Sequence, residues 1–416
     1  MLVDREVGFG RLPMNRRFQF AVVASSTCLV VLLLFGAVRG RSASTDSPYN
    51  HLGVYSEVLS RIKADYVEEP DMKAVTVGAI NGMLESIDPY ASYLNADQYK
   101  QYMKSKETVA KADVGLQLSR RFGYLSVVDA LPGSPAAKAK LATGDVIESI
   151  NNVSTRDMPL AFSEMLMQGD SGSTLELSVL RVRKTDAQKV SITRAPLVYP
   201  PVSGKLVTDQ GPETIGVIQT YTLAKGRVKE IAAKIAELQK QGAKRLILDL
   251  RHCDTGDPEE GVALANLFMD KGLITYTQGQ KSTREDFQAS AAKDVTNMKL
   301  VVIVNRGTAG AAEVAAAALL DSKRADVVGE RTYGNAAVRK AIKMDDGGAL
   351  ILSVAKYYSP GGKAIQDTGV TPNVAETQTD ADASGADFDD DSADASFPDK
   401  PSPDTIMKRA IITVIK

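Results

Sequence analysis

His252 and Cys253 stand side by side in Asp249-Leu250-Arg251-His252-Cys253-Asp254-Thr255-Gly256. A thiol next to an imidazole invites a thiol mechanism, the ring taking the thiol proton. The spacing argues against it, because adjacent residues on an extended turn point apart. The other histidine is His51 and the other cysteine is Cys28. Such a supply leaves almost no room for a histidine triad or a histidine-based metal site. It also rules out a disulfide framework and disfavours a structural zinc cluster. Thr308 offers a hydroxyl without a base beside it, and it is expected to cap the helix that follows. No metal site and no cofactor is expected.

The elements that must position such groups follow from composition and periodicity. The chain has 416 residues, 44% hydrophobic and 24% charged, which suits two or three globular domains. Fifty basic against 51 acidic residues leave a net charge of -1, which argues against nucleic acid as a partner. Residues 1–41 read as an export segment. Arg5, Arg11, Arg16 and Arg17 precede an apolar run from Phe18 to Val38. That run is about 20 residues, enough to cross a bilayer as a helix. The arginines favour a cytoplasmic N-terminus, with the rest of the chain in the periplasm or outside. No convincing A-x-A cleavage site follows, so a retained inner-membrane anchor through residues 18–38 is preferred to a cleaved signal peptide. Cys28 lacks a lipobox and reads as a small apolar residue in the run.

Residues 48–111 carry helical patterning broken by an Asp-Pro-Tyr turn. Residues 112–195 read as short strands; in Thr174–Lys184, Leu175, Leu177 and Val179 share one face. Residues 196–376 alternate strands and helices. Val228, Ile231, Ile235 and Leu238 fall on one helical face, Gly242 closes that helix, and Arg245-Leu246-Ile247-Leu248-Asp249-Leu250 follows as a buried strand. A second such unit runs from Lys299-Leu300-Val301-Val302-Ile303-Val304 into the alanine-rich run. The fold class is therefore α+β / α/β multidomain, with an N-terminal helical segment, a β-rich middle domain and an α/β core. Residues 377–400 are rich in Asp, Ala and Ser and read as a disordered acidic linker. Residues 401–416 have enough apolar side chains to dock as a terminal element.

Three features of the middle domain resemble a PDZ domain. They are Val114-Gly115-Leu116-Gln117-Leu118, then Gly133-Ser134-Pro135-Ala136 followed by Leu141-Ala142-Thr143-Gly144-Asp145-Val146-Ile147, then the helical segment Met158–Gln168. The resemblance implies that residues 114–118 bind the C-terminal residues of a partner protein by strand addition, backbone N–H groups receiving the terminal carboxylate. Gly115 is the informative residue, because close approach to backbone favours a residue without a Cβ. Leu116 and Leu118 are expected to serve partly as core and partly as pocket.

The α/β region, with Asp88-Pro89-Tyr90 before it and Lys356-Tyr357-Tyr358-Ser359-Pro360-Gly361-Gly362 near its end, resembles the C-terminal processing (tail-specific) peptidases of the S41 serine peptidase family. The resemblance covers about Tyr49 to Val374. Members use a serine nucleophile and a buried lysine base. In register with the family's N-x-G-S-A-S-A-S-E motif, this chain has Asn305-Arg306-Gly307-Thr308-Ala309-Gly310-Ala311-Ala312-Glu313. The nucleophile position is Gly310. Against G-K-G-S-V-Q stands Gly334-Asn335-Ala336-Ala337-Val338-Arg339, so the base position is Asn335 and the supporting glutamine position is Arg339. The oxyanion region implied is Gly256 and Ala311, the former in a D-L-R-x-N-P-G-G turn of which only the first half and last glycine persist.

Glycine has no atom to attack with, and an amide is no general base near neutral pH. Arg339 stays protonated and would repel a cation or bind an anion. A catalytically inactive member is therefore expected. Lys340 is expected as exposed strand charge, and Asp321 as a local cap or pair. Three functions follow: capture of protein C-terminal peptides, assembly as a homo-oligomer or as a hetero-oligomer with an active relative, and an active endopeptidase with another nucleophile.

Overall fold

The computed structural model describes residues 20, 24–30, 48–107, 112–121, 123–156, 158–182, 184–378 and 404–416. Most of the expected membrane run 18–38 and of the acidic linker lies outside the described residues. Among those described, no helix is long and apolar enough to cross a membrane.

Residues Met1–Val75 and Thr76–Lys416 form two compact units. The described part of the first contains the helix Pro48–Asp65, which exposes Leu52, Val54 and Val58. The second contains everything that bears on the site.

Its core is a six-stranded sheet in the order Val374–Ala375, Ala325–Gly329, Lys299–Val304, Arg245–Asp249, Ile215–Gln219, Ser203–Val207. All pairings are parallel except the last, where Ser203–Val207 runs antiparallel to its neighbour. A parallel strand buried on both faces needs apolar residues at consecutive positions, and Leu300 to Val304 are all buried. Helices Arg227–Lys240, Pro258–Asn266 and Ala311–Asp321 cover one face. In the first of them Val228, Ile231, Ile235 and Leu238 are the buried residues, as the periodicity predicts. Gly242 follows with φ +101, the left-handed conformation that ends a helix without a Cβ clash.

The helix Thr405–Ile415 covers the opposite face. Ile406, Ala410 and Val414 pack on Ile215, Val217, Ile247, Val301, Ile303 and Val328. Asp404 caps it, accepting from Met407 N at 2.8 Å. The same carboxylate receives both Nη groups of Arg251 at 2.9 Å. Truncating Ile406 to Ala should cost about 2–5 kcal/mol, the range for a buried aliphatic side chain. Ile412→Ala, on the exposed side of the helix, should stay within about 0.5 kcal/mol. Urea unfolding of the two variants checks the contrast.

A second, antiparallel sheet joins Ser92–Leu94, Ala337–Lys343, Ala349–Tyr358, Leu273–Gln278 and Glu285–Gln288. Here the N-terminal region departs from its all-helical expectation. Ser92–Leu94 pairs with Ile351–Ala349, so the segment after the Asp-Pro-Tyr turn is a strand before the helix Ala96–Glu107 begins. The cause is tertiary: the Leu94 side chain packs with Ile351 and Ala161.

The middle domain has the strand order Leu116–Arg121, Tyr124–Ala130, Val146–Ile150, Thr174–Leu180, Ala187–Thr193. Leu175, Leu177 and Val179 face inward as the alternation predicts. Leu116–Arg121 is the edge strand of this sheet, and the helix Leu160–Met167 belongs to the same domain. Ser134 caps the short helix Pro135–Lys138, its Oγ accepting from Ala137 N at 3.1 Å.

Candidate active site and peptide groove

Two turns meet where chemistry would be placed. The first, 305–310, leaves the central strand Lys299–Val304 and enters the helix Ala311–Asp321. Asn305 Oδ1 accepts from His252 N and Gly307 N, both at 3.1 Å. Ala309 N donates to Cys253 O at 3.0 Å, which laces this turn to the second, 250–256. Thr308 is not the N-cap expected of it. Its hydroxyl donates to Leu250 O at 2.9 Å and accepts from Asn305 N at 3.0 Å, and it is fully buried. The N-cap is Gly310, two residues later, so the threonine's oxygen is spent on joining the turns.

Gly310 has φ +61 and ψ -120. A residue with a Cβ takes up that backbone only under strain. A Cβ built there would meet only Asn335 O, at 3.7 Å, which is ordinary contact. Gly310 N donates to Glu313 Oε2 at 3.0 Å and Gly310 O accepts from Glu313 N at 3.0 Å. Ala311, the first helical residue, is buried, and its N–H has no partner inside the helix. Gly261 of the neighbouring helix comes so close that its Cβ would fall 2.3 Å from Ala311 O.

Glu313 joins the two halves of the site. Its carboxylate also accepts from Gly334 N at 2.6 Å, Asn335 N at 2.8 Å and the Thr332 hydroxyl. Burial pushes the group up to about 7 against those four donors, which pull it down. The segment carrying Asn335 is thereby fixed to the start of the helix. The Asn335 side chain turns to Arg339, its Oδ1 accepting from Nη2 at 2.5 Å. The Arg339 guanidinium lies 4.2 Å from the centre of the Tyr90 ring, and Tyr90 meets Tyr333 edge-on at 6.0 Å. Gly310, Asn335 and Arg339 are therefore brought together as one cluster. Sequence reasoning misses the role of Glu313, although a carboxylate in the first turn of a run that is otherwise apolar through Leu320 is the available signal.

The turn 250–256 carries the remaining candidates. His252 has φ +59 and Cys253 is completely buried, so the two side chains do diverge. Burial is also the main cause that pushes the Cys253 thiol up, far from its reactive form. His252 Nδ1 lies 2.8 Å from Asp129 Oδ2 in the middle domain, and Nε2 lies 3.3 Å from Asn305 Nδ2. Gly307 is pressed against this pair; a Cβ there would sit 2.3 Å from Asp129 Oδ2. Burial disfavours the His252 cation, and the Asp129 hydrogen bond and charge overcome that and raise its affinity for a proton. A raised histidine adds stability below its unfolded value, near 6.5, and loses it as pH rises through the folded value. His252→Gln should therefore narrow its deficit against the native chain between pH 5.5 and pH 8, as read by thermal denaturation. Burial, then the Asp129 charge, push Asp254 up to about 7, and its Oδ1 is buried without a hydrogen-bond partner. Gly256, at φ +155, pairs with Leu223 in a short parallel ribbon.

Asp321 departs from its local role, since its Oδ2 accepts from Gly361 N at 2.9 Å across 40 positions of sequence. Lys340 is an exposed strand residue as expected.

In the middle domain Gly115 has φ +77, and a Cβ would lie 2.4 Å from Ser134 Cβ. Leu116 and Gln117 are half-buried at the start of the edge strand. Val114 and Leu118 are fully buried, so their side chains belong to the domain core. A register shift between Gln117 and Leu118 interrupts the alternation, and Leu118, Ser119 and Arg120 are all buried; Val114 O is held by Ala136 N at 2.9 Å.

Residues 214–375 match the model for peptidase family S41, and residues 126–181 match a PDZ domain. The carboxy-terminal processing protease CtpA of Bacillus subtilis is 33% identical over 359 residues, spanning 85% of this chain and 74% of that one. This chain belongs to peptidase family S41. The carboxyl-terminal-processing protease of Picosynechococcus is 31% identical over 367 residues, with 84% and 87% covered. Among solved structures, the photosystem II D1 C-terminal processing protease superposes with a TM-score of 0.64 at 28% identity, over 77% of this chain and 86% of its own. The S41 chain thus has the mixed α/β core and PDZ domain of C-terminal processing proteases, with a glycine, an amide and a guanidinium clustered at the helix start.

Proposed function

We propose that this S41 chain is a pseudopeptidase that captures protein C-terminal tails through its PDZ domain and does not cut them. One observation carries the reading. Gly310 offers no side chain at the nucleophile position although there is space beside it for one, and the Asn335 side chain, an amide, is bonded to Arg339 and cannot serve as a base. Asp254 adds a carboxylate to the turn that would have to stabilise an oxyanion. The other nucleophiles are spent: Thr308 joins two turns, and the Cys253 thiol is buried. Tail capture is supported by the edge strand Leu116–Arg121 and the left-handed Gly115 before it.

The basic residues before the apolar run 18–38 support an inner-membrane anchor with the PDZ and S41 domains outside the cytoplasm. In that setting the chain would hold tails for an active relative or away from it. The test is mass spectrometry of an unstructured peptide ending in apolar residues, incubated with the purified full chain. An intact peptide is expected. Cleavage would overturn the reading and make Thr308 and Cys253 the next residues to replace.

A further inference from the structure

The N–H groups of Val114, Gly115 and Leu116 open the edge strand. On the tail-capture reading, on which this inference rests, they would receive a peptide's terminal carboxylate. The middle one is already engaged. Gly115 N donates to the carboxylate of Asp113 at 2.7 Å. Burial raises the Asp113 carboxyl above its ordinary range, and the Gly115 and Val114 amides beside it work against that.

Asp113 is held in that position from several sides. Its N–H donates to Ala195 O at 3.0 Å, and Ala195 N donates back to Asp113 O at 3.2 Å. Leu131 N donates to Gly115 O at 2.9 Å, which fixes the far side of the loop. The contact of Gly115 with Ser134 leaves the loop no room to retreat. Arg194, Gln168, Glu164 and Tyr199 all lie within electrostatic reach of Asp113. Its carboxyl is therefore a fixed, half-buried acceptor bonded to the N–H that a ligand's anion would need. Two carboxylates cannot share that donor without strong repulsion.

We propose that Asp113 is a specificity-determining residue of the PDZ groove, an internal competitor whose carboxylate must be displaced before a free C-terminus can dock. A peptide whose end carries no charge makes no claim on the loop and is insensitive to it. The consequence is a groove that binds free tails more weakly than its edge strand alone would allow.

The test uses the full chain, a fluorescent peptide ending in apolar residues with a free carboxylate, and the same peptide amidated. Asp113→Ala should tighten binding of the free acid about tenfold or more and leave the amide unchanged. Asp113→Asn keeps an acceptor for Gly115 N without the charge, so it should give a smaller gain for the acid; it also guards against a loop disturbed by alanine. Equal affinity of the acid for native and both variants would overturn the inference and leave tail capture standing. The same gain for acid and amide would also overturn it, since that reports a loosened groove. Binding of neither peptide to any of the three proteins would overturn both this inference and the tail-capture reading.

Discussion

Replacing Gly310, Asn335 and Arg339 together by Ser, Lys and Gln is expected to give a chain that cuts an apolar-ended peptide which the native chain leaves whole. The space beside the glycine is the reason to expect it, and the strain of a Cβ on that backbone limits it. Gly310 holds φ +61 and ψ -120, and a Cβ there would have its nearest neighbour, Asn335 O, at 3.7 Å. A serine hydroxyl would then project toward the segment that carries residue 335. All three changes are needed. A serine alone has no base to take its proton, and a lysine at 335 beside Arg339 would meet a second cation where Asn335 now meets a partner. Removing nucleophile and base from a serine peptidase costs roughly 10⁶ in rate. Recovery should be partial, roughly 10²–10³ over the native background, because Asp254 and Cys253 remain in the oxyanion turn. Mass spectrometry of the peptide reads the outcome. Cutting by Gly310→Ser alone would show that another group serves as base, and cutting by the native chain would remove the pseudopeptidase reading.

The second large effect concerns Glu313. Glu313→Ala should lower stability by about 3–5 kcal/mol, because three backbone N–H groups and the Thr332 hydroxyl lose a buried acceptor at once. At about 2–4 °C per kcal/mol for a domain of this size, the melting temperature should fall by roughly 6–20 °C. Calorimetry reads it, and Glu230→Ala, at an exposed position of the helix Arg227–Lys240, serves as the control. The pH dependence has a definite sign. Burial raises Glu313 from about 4.5 to about 7, so the folded chain binds the proton more tightly than the unfolded one. That contribution is complete below the unfolded value and fades as pH rises toward 7. The deficit of Glu313→Ala should therefore be larger at pH 5 than at pH 8. A deficit that grows with pH would mean that the hydrogen bonds, and not burial, govern the group.

What was legible in the sequence was local. The helix Arg227–Lys240 declares itself by apolar residues at 228, 231, 235 and 238, and the strand after it by an unbroken apolar run. Gly115 and Gly242 are readable because a left-handed backbone admits few other residues. The terminal helix could be anticipated as a docked element, but not the face that it covers. What escaped depends on partners far apart in the chain. The Asp129–His252 contact spans 123 positions. Ser92–Leu94 becomes a strand only because Ala349–Tyr358 offers it an edge. Thr308 resembles an N-cap in sequence, yet its oxygen is claimed by Leu250, across a turn whose course no local pattern reveals. Leu118 and Val114 could not be assigned to core or pocket, because alternation gives two faces and does not say which one is covered.

The helix Thr405–Ile415 has a consequence for how the chain can be edited. Thr405 Oγ1 donates to Thr377 O at 2.8 Å, so these two positions already touch. Doubling the length of a segment that joins two touching points raises its closure cost by only about 0.6 kcal/mol. A reporter domain or a protease site could be spliced there with little effect on stability. A chain nicked within it would keep its last helix by apolar packing and by the Arg251–Asp404 pair, as a noncovalent two-piece molecule.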